Sequence, residues 1–333
     1  MTSYERTKNF INAEPVDHPP FMPLLIQMVP GFHGVTFFDT ITDPEIRADA
    51  FLHVTKHFGL DSLTSAADFY EQLEAFGQQT EYTAEGPRTH PFLTTLDGIE
   101  DLTPPEIKPG LRIHQMLESV RILAEKSKGE YCLFASLIGP FTEYCNARDV
   151  KKAMHDMKKD KERMLKGLDL FFRNDMQLMK AELDAGANAI IIIEPNCSLI
   201  SPTFYAEYIQ PLHKQIIEYA HSRGAITRLH ICGDTLRHVP YTLGTGVDIL
   251  DIDSSVDVAE AAAHLGPHQC LCGNLNTTEE LLFGKPENFP AAVQKRVDAA
   301  KGRIILAGGC EIPPATSYEN ILAFHDAVAS LSK

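Results

Sequence analysis

Three residues that could bind a metal ion come from two distant parts of the sequence. His230 and Cys232 are separated by one residue, and Cys310 follows the glycine pair 308–309 near the end of the chain. An imidazole with two thiolates suits Zn²⁺, and three protein ligands leave a coordination position open for a substrate. The pattern therefore predicts a zinc site. The alternative is that His230 and Cys232 are core residues of a buried strand, where alternate side chains share a face and free cysteine is common.

Further polar residues stand at or just after apolar runs and are candidates for catalytic roles. Glu194 could handle substrate or a proton, Asp253 could be a fourth metal ligand or support a ligand, and Asn274 could hydrogen-bond the substrate. Each also has a structural alternative. Glu194 could pair with Arg228 or cap a helix, Asp253 could face solvent, and Asn274 could shape the turn after Gly273.

The elements that must position these residues are eight apolar runs that alternate with helical patterns. Near-continuous apolar runs are typical of parallel strands covered on both faces. In a chain of 333 residues they predict an α/β fold, a (β/α)₈ TIM barrel forming a single domain over 1–333, with a doubly wound sheet as the alternative. The predicted strands are 20–26, 62–67, 132–139, 189–193, 226–232, 249–254, 270–275 and 303–307.

Helix ends and one insertion are also visible in the sequence. Asp43 before Pro44 predicts a capped helix start, with Gly59 at its end, and Ser201 before Pro202 predicts another start. The charged stretch 150–185 predicts more than one helix or a helix that projects. The segment 81–113, rich in Pro, Gly and Thr, predicts a hairpin-bearing insertion between the second and third strands.

The predicted barrel brings the polar candidates to one place. In such barrels the chemistry takes place at the carboxyl ends of the strands. We therefore expect these side chains to face one mouth, which favours a metal site over a pair of core residues. The residues at these strand ends are Asp68, Glu194, His230, Cys232, Asp253, Asn274 and Cys310.

Composition narrows the possible partners and the compartment. The net charge of −15 and the isoelectric point near 5.4 argue against nucleic acid or an anionic membrane surface as a partner. The polar amino terminus and the absence of any run of 18 apolar residues predict a cytoplasmic protein without a membrane span. Its seven cysteines, an odd number, favour free thiols or metal ligands over a disulfide framework.

Four motifs are informative when taken together: Gly139-Pro140-Phe141-Thr142, Leu229-His230-Ile231-Cys232-Gly233, Cys272-Gly273-Asn274-Leu275 and Gly309-Cys310-Glu311-Ile312-Pro313-Pro314. They resemble the uroporphyrinogen decarboxylase superfamily, and more narrowly its zinc-dependent corrinoid methyltransferase branch. The resemblance implies a TIM barrel in which His230, Cys232 and Cys310 bind Zn²⁺. It also implies a corrinoid (cobamide) supplied by a partner protein, with Asp68 and Gly233 as candidates for cofactor binding.

The activity implied is transfer of a methyl group between a small molecule and the cobalt of the corrinoid protein. The small molecule would be a methoxylated aromatic, another methyl donor or a thiol acceptor. Plain decarboxylases of the superfamily carry arginines after the first strand, whereas 27–32 contains none. Asp68 aligns in type with the decarboxylases' active-site aspartate, so a decarboxylase-type lyase stays an alternative, as does a non-catalytic barrel that binds a corrinoid or another ligand.

Two further observations concern the small molecule. Glu311 stands where coenzyme M methyltransferases often have glycine. This difference leaves the identity of the substrate undetermined, whereas the predicted zinc ligands are unaffected. Aromatic residues near the first two strand ends suggest a pocket for a methoxyarene, with core packing as the alternative. They are Phe21, Phe32, Phe37, Phe38, Phe69, Tyr70 and Phe76.

Overall fold

The computed structural model describes residues 1–66, 68–83 and 86–331. Within them, seven parallel strands form one sheet in the order β1-β4-β5-β6-β7-β8-β9, and β2 pairs with β3 in an antiparallel hairpin. The strands are β1 (Ser62–Thr64), β2 (Gln79–Thr83), β3 (Gly86–His90), β4 (Cys132–Ile138), β5 (Ala189–Ile193), β6 (Ile226–His230), β7 (Ile249–Ile252), β8 (Cys270–Leu275) and β9 (Ile304–Gly308).

Helices follow most of the parallel strands and cover the outside of the sheet. None of the helices in the described part of the chain is long and apolar enough to cross a membrane. The helices are α1 (Ser3–Ile11), α2 (Val29–His33), α3 (Phe37–Thr42), α4 (Pro44–Phe58), α5 (Glu71–Ala75), α6 (Arg112–Ser127), α7 (Pro140–Arg148), α8 (Val150–Lys159), α9 (Lys161–Asp184), α10 (Pro202–Phe204), α11 (Gln210–Ser222), α12 (Val239–Leu243), α13 (Val258–Ala262), α14 (Phe289–Ala299) and α15 (Tyr318–Ala329).

The predicted first strand, 20–26, is reduced to a single parallel bridge between Phe21 and Leu306 of β9. On its other side, the Asp61 N–H donates to the Phe21 carbonyl at 2.9 Å, just before β1 begins. The segment therefore lies between β9 and β1 and closes the barrel. Pro23 has no N–H to continue the ladder, so the prediction of a regular strand here is wrong, while the TIM barrel is confirmed.

Alternate residues of the strands divide the core in two. Outward side chains pack under the helices, and inward side chains fill the barrel, because successive strand residues point to opposite faces. Phe10 and Ile11 of α1 pack with the inward set, and the Ile11 carbonyl accepts from Arg303 just before β9. Helix α1 thus covers the amino-terminal end of the barrel and leaves the carboxyl-terminal mouth for chemistry. The inward set includes Phe134, Ile191, Ile226, Ile249, Cys272 and Ile305.

The predicted helix ends are confirmed. The Asp43 carboxylate accepts the N–H groups of the first turn of α4, and that helix ends at Gly59 in the left-handed region. Ser201 caps α10, which runs through a π-helical turn, Tyr205–Ile209, into α11. The stretch 150–185 is divided between α8 and α9, as its length and charge indicate.

The predicted hairpin insertion is also confirmed, as β2 and β3 lie between β1 and β4. The Tyr82 hydroxyl of β2 donates to Glu74 at 2.7 Å, and the Arg112 guanidinium lies 4.9 Å from the centre of the Tyr82 ring. These contacts attach the hairpin to the barrel. Two predicted features lie outside the described residues: the end of the second strand at Ala67 and the hairpin positions 84–85. The single domain over 1–333 stays a prediction.

Candidate metal site

The barrel brings His230, Cys232 and Cys310 together at its carboxyl-terminal mouth. His230 is the last residue of β6, Cys232 follows it, and Cys310 lies just after β9. The His230 Nε2 is 2.9 Å from the Cys232 Sγ and 4.0 Å from the Cys310 Sγ, and the two sulfurs are 3.3 Å apart. All seven cysteines are free thiols. The three predicted ligands therefore converge from strands that are not neighbours in the sheet.

The donor set fits a metal ion in chemistry and in size. A tetrahedral zinc ion with ordinary Zn–N and Zn–S bonds holds its donors about 3.5–3.8 Å apart. The observed separations, from 2.9 to 4.0 Å, bracket this spacing. In the described residues this is the one group of three or more His, Cys, Asp or Glu side chains close enough to bind one ion. If they bound one ion, these three side chains would leave a coordination position free for a substrate atom.

The imidazole of His230 is oriented by Asp251, a residue that the sequence did not single out. Its Nδ1 lies 2.7 Å from the Asp251 Oδ2, so Nε2 faces the two sulfurs. Arg228 donates to both oxygens of the same carboxylate, at 2.7 and 2.9 Å. A carboxylate behind a histidine ligand fixes the tautomer and raises the basicity of the ligand.

The register of the sheet explains why these three side chains meet. Arg228 pairs with Ile249 and Leu229 with Leu250, so His230 comes beside Asp251 on the neighbouring strand. Side chains at matching positions of neighbouring strands share a face. The signal available in the sequence was Asp251 itself. It is an acid two positions after Ile249 and therefore lies on the same, inward face of the strand.

The protonation of the three ligands is coupled. Burial disfavours a charged His230, but hydrogen bonds to Asp251 and Cys310 outweigh burial and raise its pKa to about 9. Hydrogen bonds from Cys232 and His230 lower the pKa of Cys310 to about 4. The hydrogen bond to Cys310, with burial, raises the pKa of Cys232. Without metal the site favours one thiolate beside an imidazolium, and a metal ion must displace the remaining ligand protons.

A cavity of about 180 Å³ opens beside the three ligands, and all three line it. It has room for several waters or a small organic molecule. Its wall is mostly apolar and comes from the strands, from helix α4 and from the segment after the Phe21 bridge. Of the predicted aromatic set, Phe69 lines the cavity, and Phe51 and Phe134 line it without having been predicted. Phe21 instead packs in the core against Phe324.

Glu194 is fully buried at the end of β5, where it caps helix α7. Its carboxylate accepts from the N–H groups of Phe141 and Thr142 at 3.1 and 2.9 Å and from the Thr142 hydroxyl at 2.8 Å. The His213 Nε2 lies 3.2 Å from Glu194 Oε1. Of the two structural alternatives, helix capping is the one observed, since Arg228 pairs with Asp251. Glu194 is absent from the described lining of the cavity.

Asp253, Gly233 and Asn274 form a second group beside the metal ligands. The Asp253 Oδ2 accepts the Gly233 N–H at 3.0 Å, which fixes the loop after Cys232. The Asn274 amide donates to the carbonyls of Asp253 and Val256 at 3.1 and 3.0 Å. These contacts stabilise the loops that carry the ligands, so the three residues lie next to the site in a supporting position.

Asp68 lies apart from the metal ligands, at the base of the hairpin. Its carboxylate accepts from Arg112, from the Tyr70 N–H at 2.8 Å and from the Tyr82 hydroxyl at 3.3 Å. It lines a smaller hollow next to the main cavity. Asp68 therefore belongs to a hydrogen-bond network that joins the β2–β3 hairpin to the barrel mouth.

The structure is a TIM barrel that brings one histidine and two cysteines together beside an apolar cavity at its mouth, where they could hold a metal ion. The chain matches the family model of uroporphyrinogen decarboxylase (URO-D) over residues 2–331 and belongs to this family. The resemblance inferred from the motifs is thereby confirmed.

Relatives within the family carry two different names. Methylcobamide:CoM methyltransferase MtbA of Methanosarcina acetivorans is 26% identical, over 96% of this chain and 96% of that protein. MtbA of Methanosarcina mazei is 32% identical, over 63% of this chain and 61% of that protein, so this match spans less than two thirds of the relative's length. Uroporphyrinogen decarboxylase of Geobacter metallireducens is 24% identical, over 96% of this chain and 97% of that protein.

Solved structures agree on the fold. A methyltransferase from Methanosarcina mazei superimposes with a TM-score of 0.86 at 23% identity and covers 99% of both chains. A B12-independent methionine synthase from Shewanella superimposes with a TM-score of 0.55 at 12% identity, over 86% of both chains. At these identities the likeness concerns the architecture.

Proposed function

We propose that this protein is a zinc-dependent methyltransferase that moves a methyl group between a small molecule and the cobalt of a corrinoid protein. The observation that carries the proposal is the convergence of His230, Cys232 and Cys310 on the wall of an apolar cavity at the barrel mouth. Relatives named methylcobamide:CoM methyltransferase support the corrinoid as the partner's cofactor.

His230, Cys232 and Cys310 would hold the zinc ion, and Asp251 would hold His230 in the tautomer whose Nε2 faces it. When bound, zinc supplies a Lewis acid that lowers the pKa of a substrate thiol or makes the heteroatom of a methyl donor a better leaving group. The apolar wall keeps water away from the methyl group. The cavity reaches the mouth, where a corrinoid domain could approach.

Atoms and electrons balance for methyl transfer in either direction. With a methyl ether as donor, the methyl–oxygen bond breaks, its electron pair stays on oxygen, and the electron pair of cob(I)amide forms the methyl–cobalt bond. The oxygen then takes up a proton. With a thiol as acceptor, the sulfur loses its proton and attacks the methyl group of methyl-cob(III)amide, a thioether forms, and cobalt leaves with the electron pair.

A combined metal and spectroscopic experiment tests the proposal. Protein purified without added metal is analysed for zinc, and methyl transfer to or from free cobalamin is followed by absorbance with methoxyarenes, methanol, methylamines and thiols. We expect about one zinc per chain, and its loss with loss of transfer in His230→Ala and Cys310→Ser. Cys145→Ala, on helix α7, is the matched cysteine control and should keep both the zinc and the methyl transfer. Metal-free protein that cannot be loaded with zinc would overturn the proposal.

A decarboxylase-type lyase is the second candidate, because relatives of similar coverage carry that name. A porphyrinogen presents several carboxylates and needs cationic groups to bind them. The cationic side chains on the described cavity wall are Arg228 and His230, and both contact Asp251. Decarboxylation that survives a chelator would favour the lyase, and corrinoid binding without methyl transfer would favour a non-catalytic barrel.

A further inference from the structure

The charges around the metal ligands cancel one another. Two thiolates, from Cys232 and Cys310, neutralise a divalent cation. Arg228 is neutralised by the bidentate carboxylate of Asp251, which also accepts from His230. Arg228 and His230 are the cationic side chains on the described cavity wall. The zinc-loaded site therefore keeps no unpaired positive charge to hold an anionic substrate.

The remaining polar groups on the wall are neutral or acidic. The hydroxyls of Thr64 and Ser136 lie 3.0 Å apart on neighbouring strands β1 and β4. Glu311 lies beside Cys310, and its Oε1 accepts the Gln27 N–H at 2.6 Å. A hydroxyl pair can hydrogen-bond an uncharged oxygen or nitrogen. A carboxyl group offers no counterion to an anion, whether it is protonated or not.

The rest of the wall is apolar and comes from several elements. Pro23, Leu25 and Ile26 line it from the segment that leaves the sheet, Phe51 and Val54 from helix α4, and Ile193 from β5. Burying an ionised group among such side chains is unfavourable unless a charge partner is also present. A sulfonate such as the one that coenzyme M carries would lose its hydration here without gaining a counterion.

We propose that the cavity takes an uncharged, largely apolar methyl donor or acceptor and rejects anionic ones of the coenzyme M type. This inference rests on the proposed function, and it departs from the substrate named for the methylcobamide:CoM methyltransferase relatives. The substrate's methyl-bearing heteroatom lies toward the metal ligands. Its apolar body lies against α4 and β5, and an uncharged polar substituent lies at the Thr64 and Ser136 hydroxyls.

Matched pairs of small molecules test the charge preference. In each pair one sulfonate oxygen is replaced by a methyl group, which removes the charge and keeps the shape. The pairs are para-methoxybenzenesulfonate with para-methoxyphenyl methyl sulfone, and mercaptoethanesulfonate with methylsulfonylethanethiol. Binding to zinc-loaded protein is measured by titration calorimetry. We expect the sulfone to bind about tenfold tighter or more in both pairs. Equal or tighter binding of the sulfonates, or no binding of either sulfone, would overturn the inference.

A pair of variants adds an independent test. Ile26 is half-buried on the cavity wall, so Ile26→Lys can add a cation there, whereas Ile26→Met keeps the wall neutral. We expect Ile26→Lys to shift the sulfonate-to-sulfone affinity ratio toward the sulfonate by about tenfold, and Ile26→Met to leave it unchanged. An unchanged ratio in a folded, zinc-loaded Ile26→Lys protein counts against the inference.

The two proposals fail in different ways. Absence of zinc binding or of methyl transfer with any small molecule refutes the proposed function. Retained zinc and methyl transfer with a preference for the sulfonates refutes only the substrate class. Comparing zinc content, transfer and binding on the same preparation separates the two results.

Discussion

The Nδ1 of His230 lies 2.7 Å from the Oδ2 of Asp251, and Arg228 holds that carboxylate from the other side. All three side chains come from the inward face of β6 and β7 and are buried. The carboxylate thus serves two neighbouring side chains at once. It orients the imidazole toward the sulfurs, and it neutralises a guanidinium that would otherwise be buried without a partner.

Asp251→Asn should weaken zinc binding about 10–100-fold, because the amide no longer fixes the His230 tautomer or raises its basicity. It should also lower the free energy of unfolding by about 3–5 kcal/mol, because Arg228 loses its charge partner. Competition with a chromogenic chelator measures the zinc affinity, and urea unfolding measures the stability.

The matched control is Asp253→Asn, on the loop after the same strand. Its carboxylate holds the Gly233 N–H at 3.0 Å, so we expect a smaller change in zinc affinity than with Asp251→Asn. The reverse ranking of the two variants would make Asp253, the residue chosen from the sequence, the true partner of the ligands.

Gly309 is required by a close backbone approach beside Cys310. A Cβ atom at this position would lie 2.5 Å from the Ser254 nitrogen and 3.1 Å from the Asp253 backbone. Gly309→Ala must therefore shift the loop that carries Cys310, at a cost of about 1–3 kcal/mol, and we expect zinc affinity to fall with it. Zinc titration and urea unfolding check both effects.

Gly31→Ala is the control for this substitution. A Cβ atom there meets nothing within 4 Å, and Gly31 lies in helix α2. Alanine at a compatible helical position stabilises by about 0.4–1 kcal/mol, so the two variants should change stability in opposite directions. Unchanged zinc binding in a folded Gly309→Ala protein would show that the loop adapts without moving Cys310.

The convergence of His230, Cys232 and Cys310 could be predicted from the sequence because they stand at strand ends, where the fold itself brings them together. His230 and Cys232 have the spacing of one strand face, and Cys310 ends a second apolar run. Asp251 was missed because an acid inside an apolar run reads as part of the strand. Its role depends on the register between β6 and β7, which a single sequence does not reveal.

The substrate side of the site was less predictable for a related reason. The apolar run 20–26 predicts a strand, but it keeps only the bridge at Phe21, and its continuation lines the cavity. Of the predicted aromatic residues, Phe69 is the one that lines the described cavity. The others lie on segments whose orientation depends on tertiary packing, which a local sequence pattern does not reveal. Local patterns determine the elements, whereas contacts between loops and helices determine the cavity wall.

Glu194→Gln should destabilise the protein without abolishing methyl transfer. The buried carboxylate caps α7 through the N–H groups of Phe141 and Thr142, and an amide can replace only part of these bonds. We expect the free energy of unfolding to fall by about 1–3 kcal/mol and transfer per zinc-loaded protein to change little. Exposed Glu218→Gln is the control. Loss of transfer with unchanged stability would instead give Glu194 the catalytic role considered from the sequence.

His221 and Asp248 should make stability depend on pH near neutrality. The His221 Nε2 lies 3.0 Å from the Asp248 Oδ2, and this hydrogen bond, opposed by partial burial, raises the pKa of the imidazolium. Because the folded pKa exceeds the unfolded value of about 6.5, the contact stabilises the protein below that value, and its contribution is lost as the pH rises through the folded pKa. His221→Gln should therefore lower the free energy of unfolding more at about pH 5.5 than at about pH 9. Urea unfolding at both pH values measures this, with exposed His264→Gln as control, and an equal or larger loss at the alkaline pH would contradict the assignment.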